Sequence, residues 1–188
     1  HQPTHGLQMA VDTDDGNQEK AILRRVAHEF DNRVPNVYAT LARHTVALKA
    51  FVQMEEALER HGHLSRAERA LIALQVALET GCEYCQQVFR LEARESGVEL
   101  ASIDSILAGR SPREPRHAAL LDATRRVMKH HGTLGKAELS ILEERGIALE
   151  ELLEITTIIS AYTLASYANN LASTRIDPEY RGDGDTGS

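Results

Sequence analysis

The stretch LSRAERALIALQVALETGCEYCQQVFRL, residues 64–91, predicts a helix, a sharp turn and a second helix. Ser65 and Glu68 form a capping box at the first helix: the serine hydroxyl accepts from the Glu68 N–H group, and the glutamate carboxylate accepts from the Ser65 N–H group. The leucines that follow recur at helical spacing: Leu71, Leu74 and Leu78. Gly81 is placed to end this helix, because glycine readily adopts the left-handed conformation that closes many helices.

The second helix begins at the only two cysteines of the chain, Cys82 and Cys85. It runs through Phe89 and stops near Gly97. Residues i and i+3 share one face of a helix, so the two sulfurs can meet. The first turn also carries unpaired N–H groups and the positive end of the helix dipole, which favour a thiolate over a thiol. This stretch therefore provides a nucleophile and a second thiol that can resolve its oxidised product.

Apolar residues recur at helical spacing over the rest of the chain, and no strand-like alternation competes with them. Before the quoted stretch they mark one helix over 22–30 and one or two more over 37–58. After it they mark short helices over 103–107, 118–128 and 137–145, and a long one over 149–171. The segment ITTIIS in the long helix has strand-like propensity, but no breaker interrupts it. We therefore predict an all-α fold, a single multihelical bundle.

The length of 188 residues suits one domain with a substantial core. We predict a flexible N-terminus over 1–16, with a possible tag remnant because the chain opens on His1, then a helical domain over 17–180 and a disordered tail over 181–188. The net charge of −7 and the lack of a basic stripe argue against nucleic acid. No apolar run suits a signal peptide or a membrane span, so we expect no membrane association and a cytoplasmic protein.

Two alternatives to a redox pair stay open at this point. A structural zinc site needs four ligands, but the chain has no second Cys-x-x-Cys pair, and its nine histidines show no zinc-ligand spacing. His130 and His131 come nearest to a ligand pair. The two cysteines can also be inert buried thiols, which are common in protein cores. We predict no metal site.

The chain resembles the carboxymuconolactone decarboxylase superfamily, on its AhpD-like alkylhydroperoxidase side. The resemblance centres on residues 64–85, with their Leu-Ser start, apolar run, glycine and Cys-x-x-Cys pair. VPNVYATLARHTVALKAF, residues 34–51, is similar to the entry helices of the family. LEELLEITTIISAYTLASYANNLASTRIDPEY, residues 149–180, is similar to its closing helix. The resemblance covers residues 31–180.

This resemblance implies an AhpD-like bundle that assembles into homotrimers or homohexamers and reduces hydroperoxides, or exchanges disulfides, through the cysteine pair. By position, it implies Cys85 as the peroxidatic residue that becomes a sulfenic acid, and Cys82 as the resolving thiol and proton donor. The implied electron donor is a dithiol, on a lipoyl domain or a thioredoxin-like protein. No bound organic cofactor is implied.

Two positions depart from the pattern of the family. Its proton relay has a histidine four residues after the second cysteine, where this chain has Phe89, and a glutamate twelve residues before the first cysteine, where it has Ala70. Neither side chain carries a proton. Glu68 and Glu79 are the nearby carboxyl groups that can act instead, but helix periodicity places Glu68 on another face than Ala70. Glu83 and Tyr84, between the cysteines, are expected to point elsewhere. The missing relay predicts slow turnover.

Two classes of function follow from these observations. The first is an enzyme, a thiol-dependent hydroperoxide reductase or disulfide oxidoreductase that uses another group as its base. The second is a non-catalytic or redox-sensing oligomeric member of the fold. A decarboxylase ranks last, because the decarboxylases of this superfamily lack the Cys-x-x-Cys pair.

Overall fold

The computed structural model describes residues 5–182, with side-chain surroundings from residue 16 onward. Over that part of the chain, nine α-helices and one short 3-10 helix follow one another without a strand. They are α1 (His5–Glu29), α2 (Asn36–Leu41), α3 (Thr45–His61), α4 (Arg66–Glu79), α5 (Glu83–Glu95), α6 (Leu100–Leu107), α7 (Pro115–His130), α8 (Lys136–Glu144), α9 (Leu149–Ala172) and the 3-10 helix Pro178–Tyr180. None of these helices is both long and apolar enough to cross a bilayer. The predicted all-α fold class is confirmed.

The predicted helices and the observed ones differ most at the N-terminus. Helix α1 begins at His5, earlier than the apolar pattern over 22–30 indicates, and it covers most of the segment 1–16 that the sequence predicts to be flexible. Residues 1–4 and 183–188 lie outside the described residues, and with them lie the possible tag remnant at the start of the chain and most of the predicted tail. The division of the chain into three segments stays a prediction.

Helix α4 lies at the centre of the bundle and packs against α5, α7 and α9. Every residue from 70 to 77 is buried, as is typical of a helix that is apolar on all sides. Its start is the predicted capping box: the Ser65 hydroxyl accepts from the Glu68 N–H group at 3.1 Å, and the Glu68 carboxylate accepts from the Ser65 N–H group at 2.9 Å. This central helix ends beside the cysteine pair.

Helix α9 closes the bundle and contacts α2, α3, α4, α5 and α7. Ile155, Ile158 and Ala161 are fully buried along it. The ITTIIS segment is therefore helical, as predicted, because tertiary packing outweighs the weak local preference of its β-branched residues. The same helix brings polar side chains to the cysteine pair.

Asp177 holds the end of the described chain against α2 and α5. Its carboxylate is buried and accepts from the Tyr84 hydroxyl, the Asn36 N–H group and the Arg33 guanidinium. A buried carboxylate costs free energy unless it is hydrogen bonded and paired with a positive charge, and Asp177 is both. These contacts fix the segment that follows α9 over the first turn of α5.

Candidate active site

The turn between α4 and α5 places both cysteines. Gly81 adopts a left-handed conformation with φ of +65° and so ends α4, as the sequence predicts. Cys82 is the N-cap of α5, and its Sγ atom accepts from the Cys85 N–H group at 3.2 Å. A sulfur thus takes the capping role that side-chain oxygens usually have. The structure brings the two predicted site residues together at the positive end of a helix dipole.

Helix α9 supplies two further groups to Cys85. The Ser166 hydroxyl and the Asn169 side-chain amide each donate to the Cys85 Sγ atom, both at 3.6 Å. The exposed fractions of Ser166 and Asn169 are 0% and 3%. The buried Asn169 Oδ1 atom has no hydrogen-bond partner among the described residues. Orphan buried acceptors are uncommon, and this one belongs to the amide that contacts the sulfur.

The two thiols of the pair have opposite pKa shifts. The Cys85 thiol and the Cys85 N–H group both donate to Cys82, and together they lower the pKa of the Cys82 thiol to about 6. The pKa of Cys85 is raised, because its thiol proton is held by Cys82, because it is buried, and because the charge on Cys82 opposes a second charge. The resemblance implies Cys85 as the peroxidatic residue, yet the first negative charge of the pair lies on Cys82.

A cavity of about 1400 Å³ opens beside the pair. Its wall contains, among other residues, Cys85, Glu55, Ala70, Phe89 and Tyr162. Cys82 has no exposed surface and does not line this cavity. A molecule that enters the cavity therefore meets the sulfur of Cys85, with Cys82 screened from it.

Both positions that depart from the pattern of the family lie in the cavity wall. The Phe89 ring packs edge to face on the Tyr162 ring, with the ring centroids 4.6 Å apart, and Ala70 is buried. The nearby carboxyl groups do not replace them: Glu68 forms an ion pair away from the cavity, and Glu79 is exposed. The structure therefore places no acid–base group at either relay position.

Sequence reasoning missed Glu55, on α3. Its carboxylate accepts from the Tyr38 hydroxyl at 2.7 Å and from the Tyr162 hydroxyl at 3.1 Å. The side chain is half-buried by surface area because the cavity reaches it, while protein packs on its other sides. This burial raises the pKa of Glu55 to about 7, although the two tyrosine donors partly oppose the shift. A carboxyl group that titrates near neutral pH can both give and take a proton.

The apolar pattern of α3 carried a signal for Glu55. The core-facing residues of this helix recur at intervals of three and four: Leu48, Phe51, Val52 and Leu58. Glu55 occupies the position of this series where another apolar residue is expected. Charged residues are rarely buried without a partner or a role. A glutamate at a core-facing position of α3 therefore indicates a residue with a partner or a function. The sequence alone does not show that tyrosines from α2 and α9 are its partners.

Tyr84, between the two cysteines, is closer to the site than the sequence interpretation placed it. Its ring lies in the cavity wall, while its hydroxyl donates to Asp177 and accepts from the Val37 N–H group at 3.2 Å. Burial and the Asp177 carboxylate raise the pKa of Tyr84, so the phenol stays protonated at neutral pH. Tyr84 therefore anchors the first turn of α5.

Metal binding is the alternative that the sequence left open for the cysteines. The described residues contain no group of three or more histidine, cysteine, aspartate or glutamate side chains placed to hold a metal ion. The side chains of α9 that contact the Cys85 sulfur, a hydroxyl and an amide, are hydrogen-bond donors. They suit a thiolate or a sulfur–oxygen group.

The helical bundle with a cysteine pair at its cavity defines an AhpD-like fold. Residues 46–126 match the model of the carboxymuconolactone decarboxylase family. The matched region contains α4, the cysteine pair and α5, so the family resemblance found in the sequence is confirmed there.

Solved structures share this fold at low sequence identity. A peroxidase-related protein from Ralstonia eutropha JMP134, described as an alkylhydroperoxidase AhpD core, has a TM-score of 0.77 and 24% identity over 87% of each chain. A peroxidase-related protein from Silicibacter sp. TM1040 has a TM-score of 0.75 and 19% identity over 88% of each chain. The debrominase Bmp8 has a TM-score of 0.71 and 18% identity over 89% of this chain and 90% of its own. These likenesses show the fold alone, and no curated protein sequence matches the chain significantly.

Proposed function

We propose that this protein is a thiol-dependent hydroperoxide reductase that works through Cys85 and Cys82. One observation carries the proposal: the sulfur of Cys85 lines the cavity and accepts from two buried donors, and the buried Cys82 sulfur lies beside it and accepts from the Cys85 N–H group. An accessible sulfur nucleophile, a base and a resolving thiol are the groups that peroxide reduction by thiols requires.

The first step moves a proton between the two sulfurs. The pKa of Cys82 is lowered and that of Cys85 is raised, so Cys82 is the first of the pair to lose its proton. Transfer of the Cys85 proton to the Cys82 thiolate gives a Cys82 thiol and a Cys85 thiolate. The Ser166 hydroxyl and the Asn169 amide stabilise the new charge. Cys82 thereby acts as the base for Cys85, a role for which Phe89 has no suitable atom.

The Cys85 thiolate then attacks the terminal oxygen of the hydroperoxide. An S–O bond forms, the O–O bond breaks, and the alkoxide takes a proton and leaves as an alcohol. The resulting sulfenic acid carries an O–H group, for which the orphan Asn169 Oδ1 atom is an acceptor. The cavity of about 1400 Å³ is large enough for an organic hydroperoxide, and Phe89 and Tyr162 provide apolar surface in its wall.

Cys82 resolves the sulfenic acid. Its sulfur attacks the sulfur of Cys85, an S–S bond forms, and the hydroxyl group leaves as water with the proton of the Cys82 thiol. An external dithiol then reduces the protein disulfide and is itself oxidised to a disulfide. We propose a lipoyl or thioredoxin-like protein as this donor, as the family resemblance implies. No bound cofactor takes part in this scheme.

The test couples hydroperoxide consumption to a dithiol, with reduced lipoamide and cumene hydroperoxide as reagents. We expect steady turnover by the wild-type protein and none by Cys85→Ser. Without the dithiol, Cys82→Ser should consume about one equivalent and stop, because its sulfenic acid is not resolved. Ser160→Ala, an exposed change on α9, is the matched control and should behave as wild type. Full turnover by Cys85→Ser would show that another group reacts with the hydroperoxide.

The second candidate is a non-catalytic or redox-sensing member of the fold. It is distinguished by its response to repeated oxidation: a sensor forms the Cys82–Cys85 disulfide once and is reduced slowly by every dithiol tried. Turnover with a lipoyl or thioredoxin-like donor at a rate that exceeds the uncatalysed reaction favours the enzyme. A pair that hydroperoxide does not oxidise at all excludes the enzyme and favours a non-catalytic member of the fold.

A further inference from the structure

The two cysteines do not account for every proton of the proposed reaction. The proton that passes from Cys85 to Cys82 ends in the water released when the disulfide forms. The alkoxide that leaves in the preceding step is a strong base and needs an acid of its own. Ala70 and Phe89, the nearest equivalents of the family's relay positions, have no acidic group. A carboxylic acid in the cavity wall is suited to supply this proton.

Several carboxyl groups line the cavity, and some of them form ion pairs with arginines. Glu56 pairs with Arg25, and Glu92 pairs with Arg66, in each case at 3.1 Å. Glu55 has neutral hydroxyl groups as its hydrogen-bond partners instead, so its protonated form is not opposed by a direct ion pair.

Tyr162 connects Glu55 with the surroundings of Cys85. Its hydroxyl donates to Glu55, and it precedes Ser166, the donor to the Cys85 sulfur, by four residues of α9. Four residues correspond to a rise of about 6 Å and to roughly one helical turn, so the two contacts lie on the same face of α9. Phe89, one turn after Cys85 on α5, packs on the same tyrosine ring. The carboxyl group and the sulfur therefore border one region of the cavity.

We propose that Glu55 is the acid of the reaction, which donates a proton to the leaving oxygen of a hydroperoxide bound in the cavity between Cys85 and Tyr162. This inference rests on the proposed function. Glu55 is the catalytic residue, because it contacts the reacting oxygen. Tyr38 and Tyr162 are positioning residues, which hold the carboxyl group in place through the hydrogen bonds that they donate.

The step balances with Glu55 as its proton source. The Cys85 thiolate gives an electron pair to the terminal oxygen, the electrons of the O–O bond pass to the leaving oxygen, and the proton of the Glu55 carboxyl group bonds to that oxygen. The products are the Cys85 sulfenic acid, an alcohol and the Glu55 carboxylate. The open cavity lets Glu55 regain a proton from solvent before the next turnover.

The pH dependence follows from the groups around Glu55. Charged and titratable side chains of five helices face Glu55 and its tyrosines: Glu29 (α1), Tyr38 (α2), Arg69 (α4), Glu92 (α5) and Tyr162 (α9). Burial has the largest effect and keeps the carboxyl group protonated up to a pKa of about 7. As the pH increases, the rate of oxidation by hydroperoxide should therefore rise near the pKa of Cys82, about 6, and fall when Glu55 loses its proton.

The experiment measures single-turnover oxidation of the reduced protein by cumene hydroperoxide as a function of pH. In Glu55→Gln, which cannot donate a proton of comparable acidity, we expect the maximal rate to drop by about 10²–10⁴-fold. The decline at high pH should also disappear. Glu143→Gln, an exposed change on α8 that lies outside the cavity wall, should keep the wild-type profile. A purely structural role of Glu55 would lower the rate without removing the decline.

Tyr162→Phe is the second variant, and it retains the aromatic packing on Phe89. It removes a hydrogen bond that favours the Glu55 carboxylate, so the pKa of Glu55 should rise and the decline should move to higher pH. This result supports the proposal even where Glu55→Gln fails to fold. The role of Glu55 would be overturned if both folded variants kept the wild-type pH dependence of the oxidation rate. It would also be overturned if the decline of this rate at high pH did not move in Tyr162→Phe. Either result would leave the cysteine chemistry intact. A wild-type protein that cumene hydroperoxide does not oxidise overturns the proposed function itself.

Discussion

The hydrogen bond between the two sulfurs sets the acidity of both cysteines. Cys82 gains a donor from Cys85, and Cys85 loses acidity for the same reason. The pair therefore releases one proton readily and holds the second, which is typical of two coupled sites. In the proposed mechanism, the buried sulfur carries the first negative charge, and the sulfur at the cavity receives this charge when the proton moves.

Single substitutions should shift the two pKa values in opposite directions. In Cys85→Ala the pKa of Cys82 should rise, because its thiol donor is gone. In Cys82→Ala the pKa of Cys85 should fall, because the hydrogen bond and the charge that raise it are both removed. Thiolate absorbance in the ultraviolet, recorded against pH, measures both values. A downward shift of Cys82 in the first variant, or an upward shift of Cys85 in the second, would contradict the shared-proton account.

Ser166 should speed the attack of Cys85 by stabilising its thiolate. A hydrogen bond to a charged group contributes about 1.5–3 kcal/mol, so Ser166→Ala should slow oxidation by hydroperoxide about tenfold or more. Stopped-flow measurement of thiol loss gives the rate. Ser160→Ala is the control, because Ser160 is exposed on the same helix and donates to the Thr156 carbonyl oxygen instead. Equal rates in the two variants would exclude Ser166 from the site.

At the scale of the helices, the capping box fixes where α4, the helix that leads to the cysteine turn, begins. Ser65→Ala removes one of its two hydrogen bonds and should lower the free energy of unfolding by about 1 kcal/mol. Chemical denaturation monitored by circular dichroism measures this change. The oxidation rate per folded molecule should stay as in wild type, because no group at the sulfurs is altered. An unchanged free energy of unfolding would show that the box is dispensable.

The sequence predicts the helices well because their signals are local. The capping box, the left-handed Gly81 and the cysteine pair at a helix start all depend on residues close together in the chain. The long α9 was also predictable, since no breaker interrupts its apolar run. The largest error is the start of α1, because the segment before residue 17 has no apolar periodicity.

The candidate site was predictable only in part, because several of its contacts join residues that are far apart in the chain. The two cysteines follow from their spacing, and the empty relay positions Ala70 and Phe89 follow from the resemblance. Ser166 lies 81 residues from Cys85, and Tyr162 lies 107 residues from Glu55. No periodicity within one helix shows such pairings. Slow turnover was predicted from the missing relay; Glu55 offers a replacement acid that this prediction did not include.

At the scale of the whole molecule, α9 presents two apolar pairs to solvent on one face, with the exposed Thr156 and Ser160 between them. Its exposed large apolar residues are Leu149, Leu153, Tyr167 and Leu171. Tyr167 and Leu171 follow Leu149 and Leu153 by 18 residues, or about five helical turns. All four residues therefore lie on one face of α9. Exposed apolar patches often mark contact sites between proteins. This face is a candidate interface for the homotrimer or homohexamer that the family resemblance implies.

Assembly should depend on this face of α9. Wild-type protein at micromolar concentration should have the mass of a trimer or hexamer by light scattering. Leu153→Glu combined with Leu171→Glu should give a smaller species, because two charges would be buried in the interface. The control is Glu143→Gln, which should assemble as wild type. A monomeric wild-type protein would refute the predicted assembly, and unchanged assembly of the double variant would place the interface elsewhere.

The chemistry of the whole molecule is tested most directly by the product that hydroperoxide leaves on the two sulfurs. Reduced protein is treated with one equivalent of cumene hydroperoxide, digested and analysed by mass spectrometry, with and without later addition of reduced lipoamide. We expect one intramolecular Cys82–Cys85 disulfide per chain, returned to two free thiols by the dithiol, and a sulfenic acid on Cys85 in the Cys82→Ser variant. Unmodified thiols after treatment, or a sulfonic acid on either residue without the disulfide, would contradict the account.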